Sequence, residues 1–420
     1  MRSKSILLKI PYTIICVLLF VTLFTKESIN TLFFILFSLS AGIDLILMKN
    51  KLGIKRFRFS IIFMFSYFSV ASIGYLINDN SDEKYLIRLI PFLTAPLLIL
   101  YFKHHNKDLS KIIFAFVISN LLFLLFLDIW AIYDMIRNQS FYITENGRMY
   151  YRFMYTRYTN PDFFNHIYLS IYSLLSCILV LQYKLFSKKL RWLIIIYILI
   201  HLFILGSRAC IISIIIAVLI YLIFSSFVNK KHFKYLLIFL TSLTLLASLT
   251  YIFKNTLLFN RYSQVFEWYN KKDIILEKNW SINNRLKIYI LGTSSIQNPN
   301  YIGINGTGIA EHKIKEEYEL NYKTNFPFIT DTYHTHNQFI NNYLDWGITG
   351  VFLLCALLFL ILKKTFKQKQ LWVSYFWLCF AILLMMENML IRQRGIMLFI
   401  LFYALFISTN TSSTKQIENE

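Results

Sequence analysis

Apolar runs recur along the whole chain, each about 17–22 residues long and closed by a short polar stretch. That is the length at which a helix crosses the hydrocarbon of a bilayer. Read in order, the runs predict twelve spans, at about 6–25, 29–48, 59–77, 85–102, 112–132, 166–182, 192–206, 209–228, 235–253, 339–362, 371–386 and 395–408. Two connections are too long for simple turns, at about 133–165 and about 254–338, and alternation puts both on one side of the membrane. The second carries enough amphipathic sequence for short helices. Aromatic-polar segments within it, such as Val265-Phe266-Glu267-Trp268-Tyr269, read either as lying flat at the interface or as ordinary loop packing. The expected fold is an all-α polytopic membrane protein of about twelve transmembrane helices, with short helices in the large loop. It forms a single domain over about 1–407, with a disordered tail at about 408–420.

Composition agrees with the pattern. Of the 420 residues, 57% are hydrophobic and the mean hydropathy is +0.53, too apolar for a soluble domain of that length. The net charge of +21 would suit a nucleic-acid partner if it formed one surface. Instead the cations cluster in short loops, among them Lys49, Lys51, Lys55, Arg56 and Arg58, then Lys184, Lys188, Lys189 and Arg191, then Lys363, Lys364, Lys367 and Lys369. These loops alternate with acid-bearing ones such as that of Asp79, Asp82 and Glu83. This is the positive-inside distribution; it places the basic loops and both termini in the cytoplasm and the two long loops outside it, and no nucleic-acid partner is expected. Cys16, Cys177, Cys210, Cys355 and Cys379 lie in apolar runs without a CxxC pair and read as buried hydrophobes. The basic, apolar start reads as a retained first span, because no small-residue cleavage site follows it.

Chemistry concentrates on the outer side. Arg208 stands between two apolar runs, either as a functional charge close to hydrocarbon or as a snorkelling anchor. Arg285 follows Asn283 and Asn284 where a helix is expected to start; alone it would usually be a solvated loop charge. Two guanidiniums converging on one face would suit a diphosphate, since each offers a planar fork of donors. Gly303, Gly306 and Gly308 let backbone turn sharply or approach a ligand, in a segment with no Walker or Rossmann context. His336 is a titratable imidazole at the mouth of a span, able to exchange a proton near neutral pH. His334 lies two residues away, yet further metal ligands are not evident, so no metal is expected. Asp345 comes nine residues after His336 and is not expected on the same helix face. Asp44 and Asp128 lie in or near spans, paired structurally or marking an ion path. Glu387, Arg392 and Arg394 edge the last outer turn. In the first long loop, Arg152 and Arg157 lie among tyrosines and could hold sugar hydroxyls or phosphate; an aromatic belt is the blander reading.

The order of these pieces resembles the bacterial O-antigen ligase and polymerase superfamily. Ser207-Arg208, Arg285 opening a helix, the Gly306-Thr307-Gly308 turn, and His336-Asn337 followed after nine residues by Gly347 and then Gly350 carry the likeness, over a core at about 207–350. One departure is Tyr289, where relatives often carry Trp. The resemblance implies an inverting, metal-independent glycosyltransferase without a cofactor, in the bacterial inner membrane with its site facing the periplasm. The donor would be a glycan on undecaprenyl diphosphate, and the acceptor a hydroxyl of lipid A-core or of another glycan. It implies His336 as catalytic base and Arg208 and Arg285 as diphosphate ligands. Asn337, Gly306, Gly308, Arg152 and Arg157 stand as further substrate-binding candidates. A polymerase or protein O-oligosaccharyltransferase of the same superfamily, and a non-enzymatic glycolipid transporter, are the alternatives.

Overall fold

The structure is a computed structural model, describing residues 14, 17–47, 57–104, 109–145, 148–151, 165–205, 207–228, 241, 281–297, 303–322 and 334–409. After a short 3-10 turn at Thr22–Phe24 come α1 (Glu27–Leu47), α2 (Arg58–Ile77), α3 (Glu83–His104) and α4 (Leu109–Arg137). A two-stranded antiparallel hairpin follows, β1 (Tyr142–Glu145) paired with β2 (Arg148–Tyr151). Next are α5 (His166–Tyr183), α6 (Lys188–Leu205), α7 (Arg208–Val228), α8 (Ser281–Gln297) and α9 (Ala310–Glu317), which runs on into a π-helical turn at Tyr318–Tyr322. The chain closes with α10 (Gln338–Lys367), α11 (Leu371–Leu384) and α12 (Gln393–Ser408).

Among the described residues, α2, α3, α4, α5 and α10 are long and apolar enough to cross a membrane, and α1, α7, α11 and α12 contribute shorter apolar stretches. Half of the predicted span at about 6–25, and all of that at about 235–253 except residue 241, lie outside the described residues. The hairpin departs from the all-helical expectation. Its strands are only four residues each, in a stretch rich in Tyr whose alternation is too short to read as strand from sequence.

Burial sorts the helices. From Gly395 to Ser408 every residue of α12 is buried, so a helix that is apolar all round serves as the bundle's core rather than its surface. It packs against α3, with Trp377 of α11 meeting Phe399 and Tyr403 edge-on. By contrast α1 exposes Leu32, Ile35, Leu39 and Ile43, and α4 exposes Leu122, Leu125 and Ile129. This three-to-four spacing is an outward apolar face, which only a hydrocarbon solvent suits. Cys177, Cys210 and Cys379 are buried free thiols; Cys355 is exposed on such an outward face, and Cys16 lies outside the described residues. Asp128 is paired, accepting from Tyr197 Oη at 2.7 Å and lying 3.1 Å from His201 Nε2. The side chain of Asp44 lies outside the described residues.

The irregularity that shapes the site is inside α10. Gly347 has φ 63° and ψ −157°, so the helix breaks there and restarts. The backbone of Gly303 fills the break: a Cβ on Gly347 would lie 2.9 Å from the Gly303 carbonyl oxygen. Gly350 lies one turn on, where a Cβ would meet the Asn342 carbonyl at 2.8 Å and the Trp346 ring at 3.0 Å. Both glycines of the motif are therefore required by close packing. Gly347→Ala is expected to lower the melting temperature of purified protein by roughly 5 °C or more, from about 1–2 kcal/mol of left-handed strain plus the clash. Gly42→Ala, in α1 with nothing within 4 Å of its added Cβ, should leave it unchanged. Equal melting of the two variants would contradict this account of the break.

Candidate active site

The site grows from the first turn of α10. Asn337 is the N-cap of that helix: its side-chain oxygen accepts from the backbone N–H of Phe339 at 2.9 Å and of Ile340 at 3.1 Å. His336, immediately before the cap, holds φ 48°, a left-handed conformation uncommon outside glycine. Its backbone is pinned by Tyr289 of α8, whose hydroxyl lies 2.9 Å from the carbonyl oxygens of both His336 and Met385. Thr335 adds a third tie by donating to Asn388 Oδ1 at 2.8 Å. The imidazole is thus fixed relative to both α8 and the link between α11 and α12.

That link supplies the residue at the centre. Glu387 is 8% exposed, and its two carboxylate oxygens face different cations. Arg285 Nη2 of α8 lies 2.5 Å from Oε1, and His336 Nδ1 lies 3.2 Å from Oε2. Burial pushes the Glu387 carboxyl up, but the hydrogen bond from His336 and the Arg285 charge outweigh it, and its pKa falls below the ordinary value. A carboxylate has no proton to give, so it accepts from Nδ1–H, and the neutral ring then keeps its lone pair on Nε2. His334 turns to another acid, with Nδ1 2.5 Å from Glu311 Oε1. The two histidines are therefore drawn to separate carboxylates. Among the described residues no group of three or more His, Cys, Asp and Glu converges.

A second layer holds the turn at 303–309. Asp345 is fully buried; Oδ1 accepts from the Ala310 N–H at 2.8 Å and Oδ2 from Asn341 Nδ2 at 2.8 Å, while its carbonyl accepts from the N–H of Asn305 and Gly306. Thr307 Oγ1 donates to the Ala71 carbonyl at 2.7 Å, tying the same turn to α2. Gly306, at φ 132°, is wedged against Asn78, Ser81 and Ile309, so its backbone serves packing. Lys313 of α9 donates to the Leu344 carbonyl at 3.2 Å, and burial lowers its amine to about 8.

Two cavities open beside the histidines. The smaller, about 100 Å³, is lined by His336, Glu387, His334, Tyr168 and Arg392. The larger, about 630 Å³, shares His334, Ile391 and Arg392 with it and extends over Gly308 and Asn341. Around its wall stand three carboxylates, Glu27, Asp82 and Glu311, and three permanent cations, Arg88, Lys315 and Arg392.

The sequence-predicted residues divide. His336 and Arg285 come together through Glu387; Asn337 caps the helix beside them, and Gly308 lines the larger cavity. Arg208 opens α7, half-buried. Arg394 lies 3.8 Å from Glu27 and donates to the Thr25 carbonyl. Arg152 and Arg157 lie outside the described residues. The central place of Glu387 was not legible: it reads as a rim acid 51 residues beyond His336, and only the fold closes that distance.

Residues 193–355 match the family model described as O-Antigen ligase, a segment that holds Arg208, Arg285, the glycine turn and His336. The match over this segment supports the O-antigen ligase/polymerase superfamily, and with it an enzyme of membrane glycosyltransferase type at the level of that family. No curated protein matches the chain.

Removing Arg285 tests the bridge. Arg285→Ala leaves a buried carboxylate without its guanidinium, which is expected to cost up to about 3 kcal/mol after allowing for the partial exposure of the arginine. Arg285→Ala combined with Glu387→Gln should recover most of that loss in melting temperature. The lowered pKa fixes the sign with pH. The contribution of the pair is present above the ordinary carboxyl value of 4.5 and is lost as pH falls through the lower folded value. A double variant no more stable than the single one would refute the bridge.

Proposed function

We propose that the chain is an O-antigen ligase-type glycosyltransferase that moves a glycan from undecaprenyl diphosphate to an acceptor hydroxyl at the periplasmic face of the inner membrane. The observation that carries this reading is the Glu387 carboxylate joining His336 to Arg285, two residues that both lie within the matched segment. His336 accepts the acceptor's proton through Nε2 as the oxygen attacks the anomeric carbon; the carbon–phosphate oxygen bond breaks with inversion, and undecaprenyl diphosphate leaves. Arg285 spends one nitrogen on Glu387 and keeps donors for the leaving diphosphate, with Arg208 as the second guanidinium. Glu387 orients the ring and holds its tautomer, a positioning role. The larger cavity, with alternating acids and cations and the amides of Asn80 and Asn341, suits sugar hydroxyls. The positive-inside distribution supports the periplasmic orientation.

The acceptor is assigned as lipid A-core. Deleting the gene and examining lipopolysaccharide tests this choice: accumulated lipid-linked chains with bare core support a ligase, whereas core capped by single repeats replaces it with a polymerase.

In purified protein supplied with a lipid-linked glycan and acceptor, His336→Ala should lose about 10²–10⁴-fold in turnover while donor still binds. Arg208→Ala should lose roughly 10- to 150-fold, for about 1.5–3 kcal/mol of charge-assisted contact, with Lys rescuing only in part. Full turnover in well-folded His336→Ala ends the base assignment. For orientation, Arg285→Cys and Lys363→Cys should label from opposite sides of sealed vesicles, and labelling from one side overturns it.

A further inference from the structure

At the opposite end of α10 from His336 a second cavity of about 420 Å³ lies between α2, α10 and the last turn of α12. Its chemistry differs from that of the glycan-side cavity. Lys363, Lys364 and Lys367 line it together with Phe57, Phe59 and Ile407, and among the described residues no carboxylate lines it. We propose that this cavity binds an anionic glycerophospholipid, with the phosphate among the three lysines and an acyl chain against the apolar wall.

Two features point to a lipid. The first is a fixed cation. Lys364 Nζ donates to the Ile407 carbonyl and stands 5.4 Å over the Phe57 ring, a ring that Lys103 also approaches at 5.8 Å. Its ammonium is therefore already held at the cavity wall, so an anion binding there has less freedom to freeze. The second is like charge at close spacing. Lys363 and Lys367 are one turn apart on one helix face, both exposed, and Lys364 lies three residues from Lys367, so three cations share two turns. The carbonyl end of a helix favours cations in its last turn, which accounts for lysines there. It does not account for an adjoining cavity floored by Phe57, Phe59 and Leu360, which a free phosphate would leave unused. A phospholipid uses both parts, and a basic pocket between helices at the cytoplasmic surface is where an anionic headgroup would be met. This inference stands on the far end of the bundle and does not depend on the glycan-transfer reading.

The test uses full-length protein, stripped of lipid in a neutral detergent, with thermal melting as the readout. Dioleoylphosphatidylglycerol in mixed micelles should raise the melting temperature saturably. Dioleoylphosphatidylcholine and inorganic phosphate at equal concentration should not. Lys363→Gln with Lys367→Gln, both exposed, should raise the half-saturating phosphatidylglycerol concentration about tenfold or more. Lys188→Gln with Lys189→Gln, in the first turn of α6, should leave it unchanged. Native mass spectrometry of the same samples should count fewer retained phosphatidylglycerol molecules on the first variant only. Equal half-saturation in the first variant and the wild type overturns the proposal. An equal rise with phosphatidylcholine overturns it in favour of general lipid rescue, and an equal rise with inorganic phosphate replaces the lipid by a free anion.

Discussion

One buried carboxylate joins three parts of the chain that are far apart in sequence. Glu387 sits on the link between α11 and α12, Arg285 on α8 and His336 before α10. A charge with so little access to water is tolerable only if its partners are present, so this carboxylate favours the docking of all three elements. The same pairing orients the imidazole and brings the guanidinium alongside. Stability and the proposed chemistry thus draw on a single ion cluster, and Tyr289 reinforces it by pinning the backbone of both His336 and Met385.

The broken helix does comparable work on the other side of the histidine. Because α10 unwinds at Gly347, the 303–309 turn can press its backbone into the helix and deliver Gly308 to the larger cavity. Asp345 satisfies the backbone donors this exposes. A buried polar residue in a membrane helix is costly without partners, and here the side chain accepts from the Ala310 backbone amide and the Asn341 side-chain amide.

Much of the helical layout was legible from the sequence, since hydrocarbon imposes a length and a polarity on anything that crosses it. Runs placed at 166–182 and 371–386 correspond to α5 at His166–Tyr183 and α11 at Leu371–Leu384. His336 and Arg285 were legible through motif order. Glu387 was not, because its value comes from a contact 51 residues away, and periodicity carries no long-range distances. The roles of Asn337 as a helix cap and of Gly306 in packing were hidden by the same motif, which marks residues without saying whether they serve the ligand or the backbone. The hairpin at Tyr142–Tyr151 was too short for its alternation to stand out.

The larger cavity has a kinetic consequence. Its three carboxylates and three permanent cations cancel at a distance, so beyond a Debye length of about 8–10 Å an approaching molecule feels little net field. Capture there is not hastened by electrostatic steering, which requires an excess of one sign. On the proposed function, the lipid-linked donor arrives instead by lateral diffusion in the membrane plane, where its tether confines it to a thin layer. For such a donor the rate of encounter is set by its surface density and by membrane fluidity, and it is nearly indifferent to ionic strength.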